Sequence, residues 1–379
     1  LALSRASVAL ECRVPDLLGW DRIHQERSAA MLRQSLIEYG KPLEATEAET
    51  PVPTGSEVLL RVSHCGVCHS DLHLQDGYFS LGGEQKLDVR GLRPLPFTFG
   101  HEIAGTVAAA GPDAQGVPAG QRYAAYPWIG CGACPVCARG DEHLCNAPRV
   151  LGVTVDGGYA THVLVPHPRY LLDVEGIAPE IAGPLMCSGL TGYSAVKKAL
   201  PYLRSGPLLI VGLGGVGMMG LQFARALTDA PILVADIDPA KRAAALKLGA
   251  GEAFDPADAG ARKAIAKASG GGVGAAVDFA GSDKSLGLAQ SVVAKGGAAI
   301  VVGLLGGSFT LPVPMFPLRA LTVMGSYVGS PAEAREMLDL VKAGRIAPIP
   351  VETRPLAETS RSLDDLRAGK VVGRVVITP

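Results

Sequence analysis

The sequence predicts an α/β protein that joins an irregular, mostly antiparallel β region to a doubly wound parallel sheet. Three observations carry this expectation. Short β-branched runs separated by Gly and Pro fill the chain from 31 to about 167. Buried apolar strands alternate with helical segments from 208 to 325. At 379 residues, the chain is also too long for one ordinary core.

The elements follow in order. Residues 1–30 carry Glu11, Asp16, Asp21 and Glu26 and lack an unbroken apolar core. They therefore do not read as a secretory signal, and are expected to be a mobile or non-native extension. Strands are predicted at 34–39, 58–62, 103–109 and 160–165, with 76–96 as a long loop. The register changes after Cys187. Strands at 208–212, 232–236, 252–254, 275–279, 298–302 and 321–325 are separated by helices at 215–227, 239–248, 259–268 and 284–293. A helix at 331–342 and a strand at 371–377 return the chain to its first region. The domains are expected to be 31–188 with 329–379, and 189–328.

Composition excludes some classes. A formal charge of −1 and a pI near 6.8 give no electrostatic case for nucleic acid or an anionic membrane surface. No apolar run approaches the roughly 20 residues of a membrane span. Of eight cysteines, six fall into metal-like arrangements, leaving Cys12 and Cys65. Thiolates that bind metal must stay reduced, so a cytoplasmic location is expected.

The densest chemistry lies in Gly66-Val67-Cys68-His69-Ser70-Asp71-Leu72-His73. With His101 and Cys187, Cys68 makes one imidazole and two thiolates, a catalytic zinc set with an open fourth position. Ser70 and Asp71 could instead simply cap a helix. Cys131, Cys134, Cys137 and Cys145 follow C-x2-C-x2-C-x7-C, the pattern of a closed structural zinc site. An iron–sulfur cluster is the rival, but its fourth gap is three residues followed by Pro, whereas here it is seven followed by Asn146. Gly212, Gly214, Gly215, Val216 and Gly217 lie in a G-x-G-x-x-G motif between a strand and a helix. Asp236 ends the next strand nineteen residues beyond Gly217, where a carboxylate favours NAD over NADP.

Taken together, these residues resemble the zinc-dependent alcohol dehydrogenases of the medium-chain dehydrogenase/reductase family. The carriers are the 66–71 motif, Gly100-His101-Glu102, the four-cysteine lobe, Cys187 with Thr191, the glycine motif and Gly373-Arg374-Val375. The resemblance implies a GroES-like catalytic domain, a Rossmann cofactor domain, two zinc ions per chain (one catalytic, one structural) and NAD. It implies Asp71 orienting His101, Glu102 behind the metal, and Ser70 and His73 passing the alcohol proton to solvent. His69, Lys241 and Arg374 would contact the cofactor phosphates or adenosine ribose. Thr191 would support the nicotinamide, and Phe79 and Trp128 would line the substrate pocket. Cys65 is expected to be a packed bystander, and His24, His64, His143, His162 and His167 to be structural or exposed.

The implied reaction is hydride transfer between NAD and an alcohol, giving its aldehyde or ketone, in a homodimer or homotetramer. Polyol, threonine and cyclic-alcohol dehydrogenases are the alternatives within the family. A non-catalytic NAD- and zinc-binding sensor, or a zinc-free quinone or enoyl reductase, are the alternatives outside that activity. Two features depart from the family pattern. The loop through 81–93 is longer than in the best-known relatives, which bears on substrate choice. His69 replaces an Arg found in several of them, and a neutral imidazole holds phosphate less firmly.

Overall fold

The strand Val58–Gly66 organises the first half of the structure, a computed structural model that describes residues 30–379. The expectation for the N-terminal extension thus lies, apart from Ala30, outside the described residues. Val58, Leu60 and Val62 are buried, and each such side chain contributes roughly 1.5–3 kcal/mol on leaving water. Val58–Gly66 pairs antiparallel with Glu102–Ala110 and His162–Val165, and its end pairs with Arg374–Thr378 near the far end of the chain. These strands belong to a seven-stranded sheet, extended by Arg122–Ala125 and Leu171–Asp173 on one side and Val351–Pro355 on the other.

The second half is a six-stranded, all-parallel sheet. Its spatial order is Glu252–Phe254, Ile232–Ala235, Leu208–Val211, Val273–Asp278, Val293–Val301, Thr322–Gly325, the doubly wound order that places a ligand crevice where the strand order reverses. Alternation puts Leu208 and Ile210 into one core and Leu209 and Val211 into another, so both faces need helical cover.

Several expectations are corrected. The first strand is Ala30–Leu36 rather than 34–39, because Gly40 takes φ +76° and the chain turns there. The 76–96 stretch is not a plain loop. It folds as a hairpin, Tyr78–Gly82 against Gln85–Asp88, because Gly82 and Gly83 supply positive φ at the turn. The strand expected at 298–302 begins earlier, at Val293, and the final strand is Arg374–Thr378. The strand Val351–Pro355 and the helix Thr359–Arg367 are not among the expected elements: the strand is short and largely exposed, and the helix offers only Leu363 and Leu366 on its inner face, while Glu352, Arg354 and Asp365 form ion pairs.

Two helices tie the halves together. Ser188–Ala199, which follows Cys187, packs on Gly215–Leu227, which opens with the glycine motif. They touch backbone to backbone, since a Cβ on Gly192 would lie 2.8 Å from the Gly220 nitrogen. Gly192→Ala gains about 1 kcal/mol of helix propensity, but meets a backbone that has no rotamer to yield. The expected net effect is a loss of about 1–3 kcal/mol, read as a lower Tm by calorimetry. An unchanged or higher Tm would mean that the helices do not meet there.

Candidate active site

Strand register brings the reactive groups together. Gly66 sits opposite Glu102 and Cys65 opposite Ile103, so the two chain segments leave the sheet side by side. A Cβ on Gly66 would lie 1.9 Å from Glu102 Oε2, so only glycine leaves room for that carboxylate. The helix His69–Asp76 starts immediately, with Cys68 as its N-cap. Asp71 Oδ2 accepts the Cys68 N–H at 3.0 Å, while its Oδ1 lies 3.2 Å from His101 Nδ1. Asp71 thus caps the helix through Oδ2 and sets Oδ1 beside His101 Nδ1, although that pair is not aligned as a hydrogen bond. Cys187 arrives from the short turn Pro184–Met186.

One donor atom from each of Cys68, His101, Glu102 and Cys187 lies within 4.8 Å of every other, all four residues being buried. His101 Nε2 and Glu102 Oε1 are buried without a hydrogen-bond partner. An imidazole nitrogen left bare beside two thiols fits a tetrahedral zinc ion with one open position. The electrostatics agree. The Cys187 thiol, donating to Cys68, holds Cys68 well below the usual thiol range against the effect of burial. The same contact, with burial, pushes Cys187 well up. Burial disfavours a charged His101, but Asp71 and Cys68 outweigh it and raise its pKa. Burial pushes Glu102 up to about 7, although Arg374 opposes it. Arg374 donates to Glu102 Oε2 in a fully enclosed pair.

The second cysteine group is also ready for metal. Sulfur separations of 3.9 Å (Cys131–Cys137), 3.5 Å (Cys134–Cys137) and 3.9 Å (Cys134–Cys145) surround one point. A tetrahedron with Zn–S bonds of about 2.3 Å has edges of about 3.8 Å. Backbone N–H groups of Cys131, Cys137 and Ala147 point at the sulfurs. Beneath them, buried Glu142 accepts from Gly130 N–H at 3.1 Å and from Tyr170 O–H at 2.7 Å.

At the reversal of strand order, Gly212 takes φ +87°, and a Cβ on Gly217 would lie 1.9 Å from the Gly212 carbonyl oxygen. A Cβ on Gly214 would meet nothing within 4 Å, leaving space above the helix N-terminus for a pyrophosphate. Asp236 Oδ2 accepts the Leu213 N–H at 2.6 Å, which ties the carboxylate to the glycine loop. Lys241 lies on the following helix, 3.9 Å from Asp238. Arg374 packs against Gly215 as well as Glu102, between the nucleotide crevice and the metal cluster.

Around the mouth, Trp128 stands edge-on to His101 at 5.5 Å and donates from Nε1 to the Met186 carbonyl at 3.0 Å. Phe79, on the hairpin, packs against His73 with the rings tilted and their centres 4.7 Å apart, and the His69 ring lies 5.7 Å from that of His73. Ser70 and Thr191 are partly buried on their helices. Cys65 is buried with its thiol pushed well up, chiefly by burial, as befits a packed bystander. His64, His143 and His162 are partly buried, His167 caps a turn by accepting from Arg169 N–H, and His24 lies outside the described residues. Sequence reading missed three residues. Tyr159 donates to Asp71 Oδ2 at 2.6 Å, Glu142 supports the cysteine lobe, and half-exposed Tyr327 packs edge-on against Trp128 at 5.6 Å. None belongs to a spaced motif, so no local signal marks them.

Comparison with known proteins agrees with this geometry. Residues 54–175 match the alcohol dehydrogenase GroES-like domain family, and residues 215–343 the zinc-binding dehydrogenase family. An NAD-dependent alcohol dehydrogenase of Sulfurisphaera tokodaii is 37% identical over 351 residues, covering 92% of this chain and 100% of the relative. The alcohol dehydrogenase of Aeropyrum pernix superposes with a TM-score of 0.83 at 29% identity, covering 92% of this chain and 100% of that one. The D-arabinose dehydrogenase of Sulfolobus solfataricus superposes with a TM-score of 0.79 at 28% identity, covering 93% and 100%.

Two well-separated donor sets give a metal-content prediction. Cys68→Ser and Cys137→Ser are each expected to lose about one zinc ion per chain by atomic emission, and the double variant to lose both. A single variant that keeps its full zinc content would exclude that cysteine as a ligand.

Proposed function

The chain belongs to the zinc-binding alcohol dehydrogenase family, and from that premise we propose how its own residues divide the work of hydride transfer. The protein is an NAD-dependent zinc oxidoreductase that interconverts an alcohol with its aldehyde or ketone. The observation that carries the site assignment is His101 Nε2, buried and unpartnered beside Cys68 and Cys187. We assign these three residues to the catalytic zinc, and Cys131, Cys134, Cys137 and Cys145 to the structural zinc. Zinc, when bound, would supply a Lewis acid that favours loss of the alcohol proton, and NAD would supply the hydride acceptor.

The chain's own residues do the rest. Asp71 sets the His101 ring, and Glu102 stands behind the ligands, held by Arg374. Gly214 and its helix receive the pyrophosphate, Asp236 the adenosine ribose, and Lys241 and His69 extend the phosphate site. Arg374 reaches the same crevice from the other side, and Thr191 supports the nicotinamide. Ser70 takes the alcohol proton and His73, one turn along the helix, passes it outward. Burial and the neighbouring His69 lower the His73 pKa, so at pH 7 its ring is neutral and open to a proton. Its Nε2 is buried without a protein partner.

The pocket residues Phe79, Trp128 and Tyr327 are aromatic and offer few hydrogen-bonding groups. This favours alcohols bearing a flat apolar group over polyols and sugars. The domain division at 31–188 with 329–379, and 189–328, follows the two sheets. A homodimer or homotetramer through the edge of the parallel sheet is supported by exposed Val313, Phe316, Leu318 and Val323 beside the edge strand Thr322–Gly325. No helix of the described residues is long and apolar enough to cross a membrane. All seven described cysteines are free, which supports a reducing, cytoplasmic setting.

NADH formation followed by absorbance tests both assignments. Benzyl and cyclic alcohols are expected to give a higher kcat/KM than polyols or arabinose, and the reverse order would overturn the pocket reading. His73→Asn is expected to lower kcat for oxidation about a hundredfold at pH 7. The loss should shrink as pH rises and hydroxide replaces the relay. A variant with wild-type kcat at pH 7 would remove His73 from the mechanism.

A further inference from the structure

Tyr159 stands out among the buried polar groups that the reaction leaves unused. It has no exposed surface, and its ring is clamped against the backbone just ahead of His101. A Cβ on Gly100 would lie 2.8 Å from Tyr159 Cδ1. The clamp has three teeth: Gly157 N–H to the Thr98 carbonyl at 2.9 Å, Gly158 N–H to Gly100 at 2.7 Å, and Tyr159 N–H to Phe99 at 3.0 Å. The Tyr159 carbonyl accepts in turn from Gln34 N–H at 2.8 Å. With its backbone held on both sides and its ring fully buried, Tyr159 presents its hydroxyl to Asp71 from a packed position.

The hydroxyl donates to Asp71 Oδ2 at 2.6 Å, within the short range of O–H···O⁻ bonds. The same oxygen takes the Cys68 N–H at 3.0 Å. Two donors on Oδ2 fix the plane of the carboxylate and leave Oδ1 facing His101 Nδ1 across 3.2 Å, near enough for charge attraction though not aligned as a hydrogen bond. Burial and the neighbouring carboxylate keep the phenol protonated, so it remains a donor throughout.

We propose that Tyr159 is a positioning residue for the catalytic zinc: through Asp71, its hydroxyl aims His101 Nε2 into the space shared with Cys68 and Cys187. The proposal rests on the assignment of those three residues as ligands. It assigns to the 157–159 segment a role in metal retention, which makes Tyr159→Phe a defect of orientation rather than of packing. Loss of a direct partner of a metal-binding histidine typically costs about 10–100-fold in metal affinity or activity, and Tyr159, one contact further out, belongs at the low end of that range.

The test is the rate at which zinc leaves the holoenzyme for a chromogenic chelator. The zinc of the Cys131 group, far along the chain, serves as internal reference. In Tyr159→Phe, the catalytic zinc is expected to leave about tenfold faster, with the reference phase unchanged. In an Asp71→Asn background, removing the hydroxyl should add nothing further. No acceleration in Tyr159→Phe, or the same acceleration in both backgrounds, would overturn the proposal, since the hydroxyl would then not act through Asp71. Asp71→Asn alone provides an arm that does not need the Tyr159 variant to fold: release at the wild-type rate there also overturns it. Wild-type protein that yields only one zinc ion per chain would instead overturn the ligand assignment itself.

Discussion

The antiparallel register that sets Gly66 against Glu102 is the constraint on which the rest of the site depends. From it follow the start of the helix His69–Asp76 at the end of one strand and the placement of His101 just before the other. A register slip of one residue would turn Glu102 and its neighbours to the opposite face. Glycine at 66 is part of the same constraint, because any side chain there would occupy the volume of the Glu102 carboxylate. Gly373, with φ +86°, lets the chain pass close to the Pro350 carbonyl before Arg374 enters the sheet. Two glycines at two strand ends therefore set where two buried charges meet.

That meeting takes place in a dry interior. Asp71, His101, Cys68, Glu102 and Arg374 are all shielded from water, with the Arg374 guanidinium set against the Glu102 carboxylate. Burying any one alone would cost several kcal/mol. Together they form an enclosed electrostatic unit in which a zinc ion supplies the positive charge that two thiolates require. Arg374 gives this unit a physical link to the nucleotide crevice, because its side chain lies against Gly215 at the start of the helix that faces the pyrophosphate. The helix Ser188–Ala199 makes a second link, running from Cys187 to its contact with Gly220.

Much of this was legible in the sequence because it is local. Four cysteines within fifteen residues, or glycines around the start of one helix, state their geometry through spacing alone. The parallel sheet was legible for a related reason, since strands buried on both faces read as unbroken apolar runs such as Leu208–Val211. The hairpin Tyr78–Gly82 with Gln85–Asp88 was not, because its residues are mostly exposed and carry no period-two pattern. The strand Val351–Pro355 and the helix Thr359–Arg367 were not, because the strand is short and largely exposed and the helix shows a polar sequence with only two leucines on its inner face. Tyr159 and Glu142 act across 88 and 12 residues of sequence respectively, through single hydrogen bonds that only the folded backbone brings about.

The pairing of Glu102 with Arg374 spans 272 residues. A ribosome makes Glu102 early and must then synthesise the whole parallel sheet before its counter-charge exists. Until the strand Arg374–Thr378 is in place, the Glu102 carboxylate lacks its cation and must stay hydrated or take up a proton. The nucleotide half, whose strands all lie between Leu208 and Gly325, has no such wait and has its full sheet sooner. Birth order thus runs opposite to reading order: the part written first is sealed last.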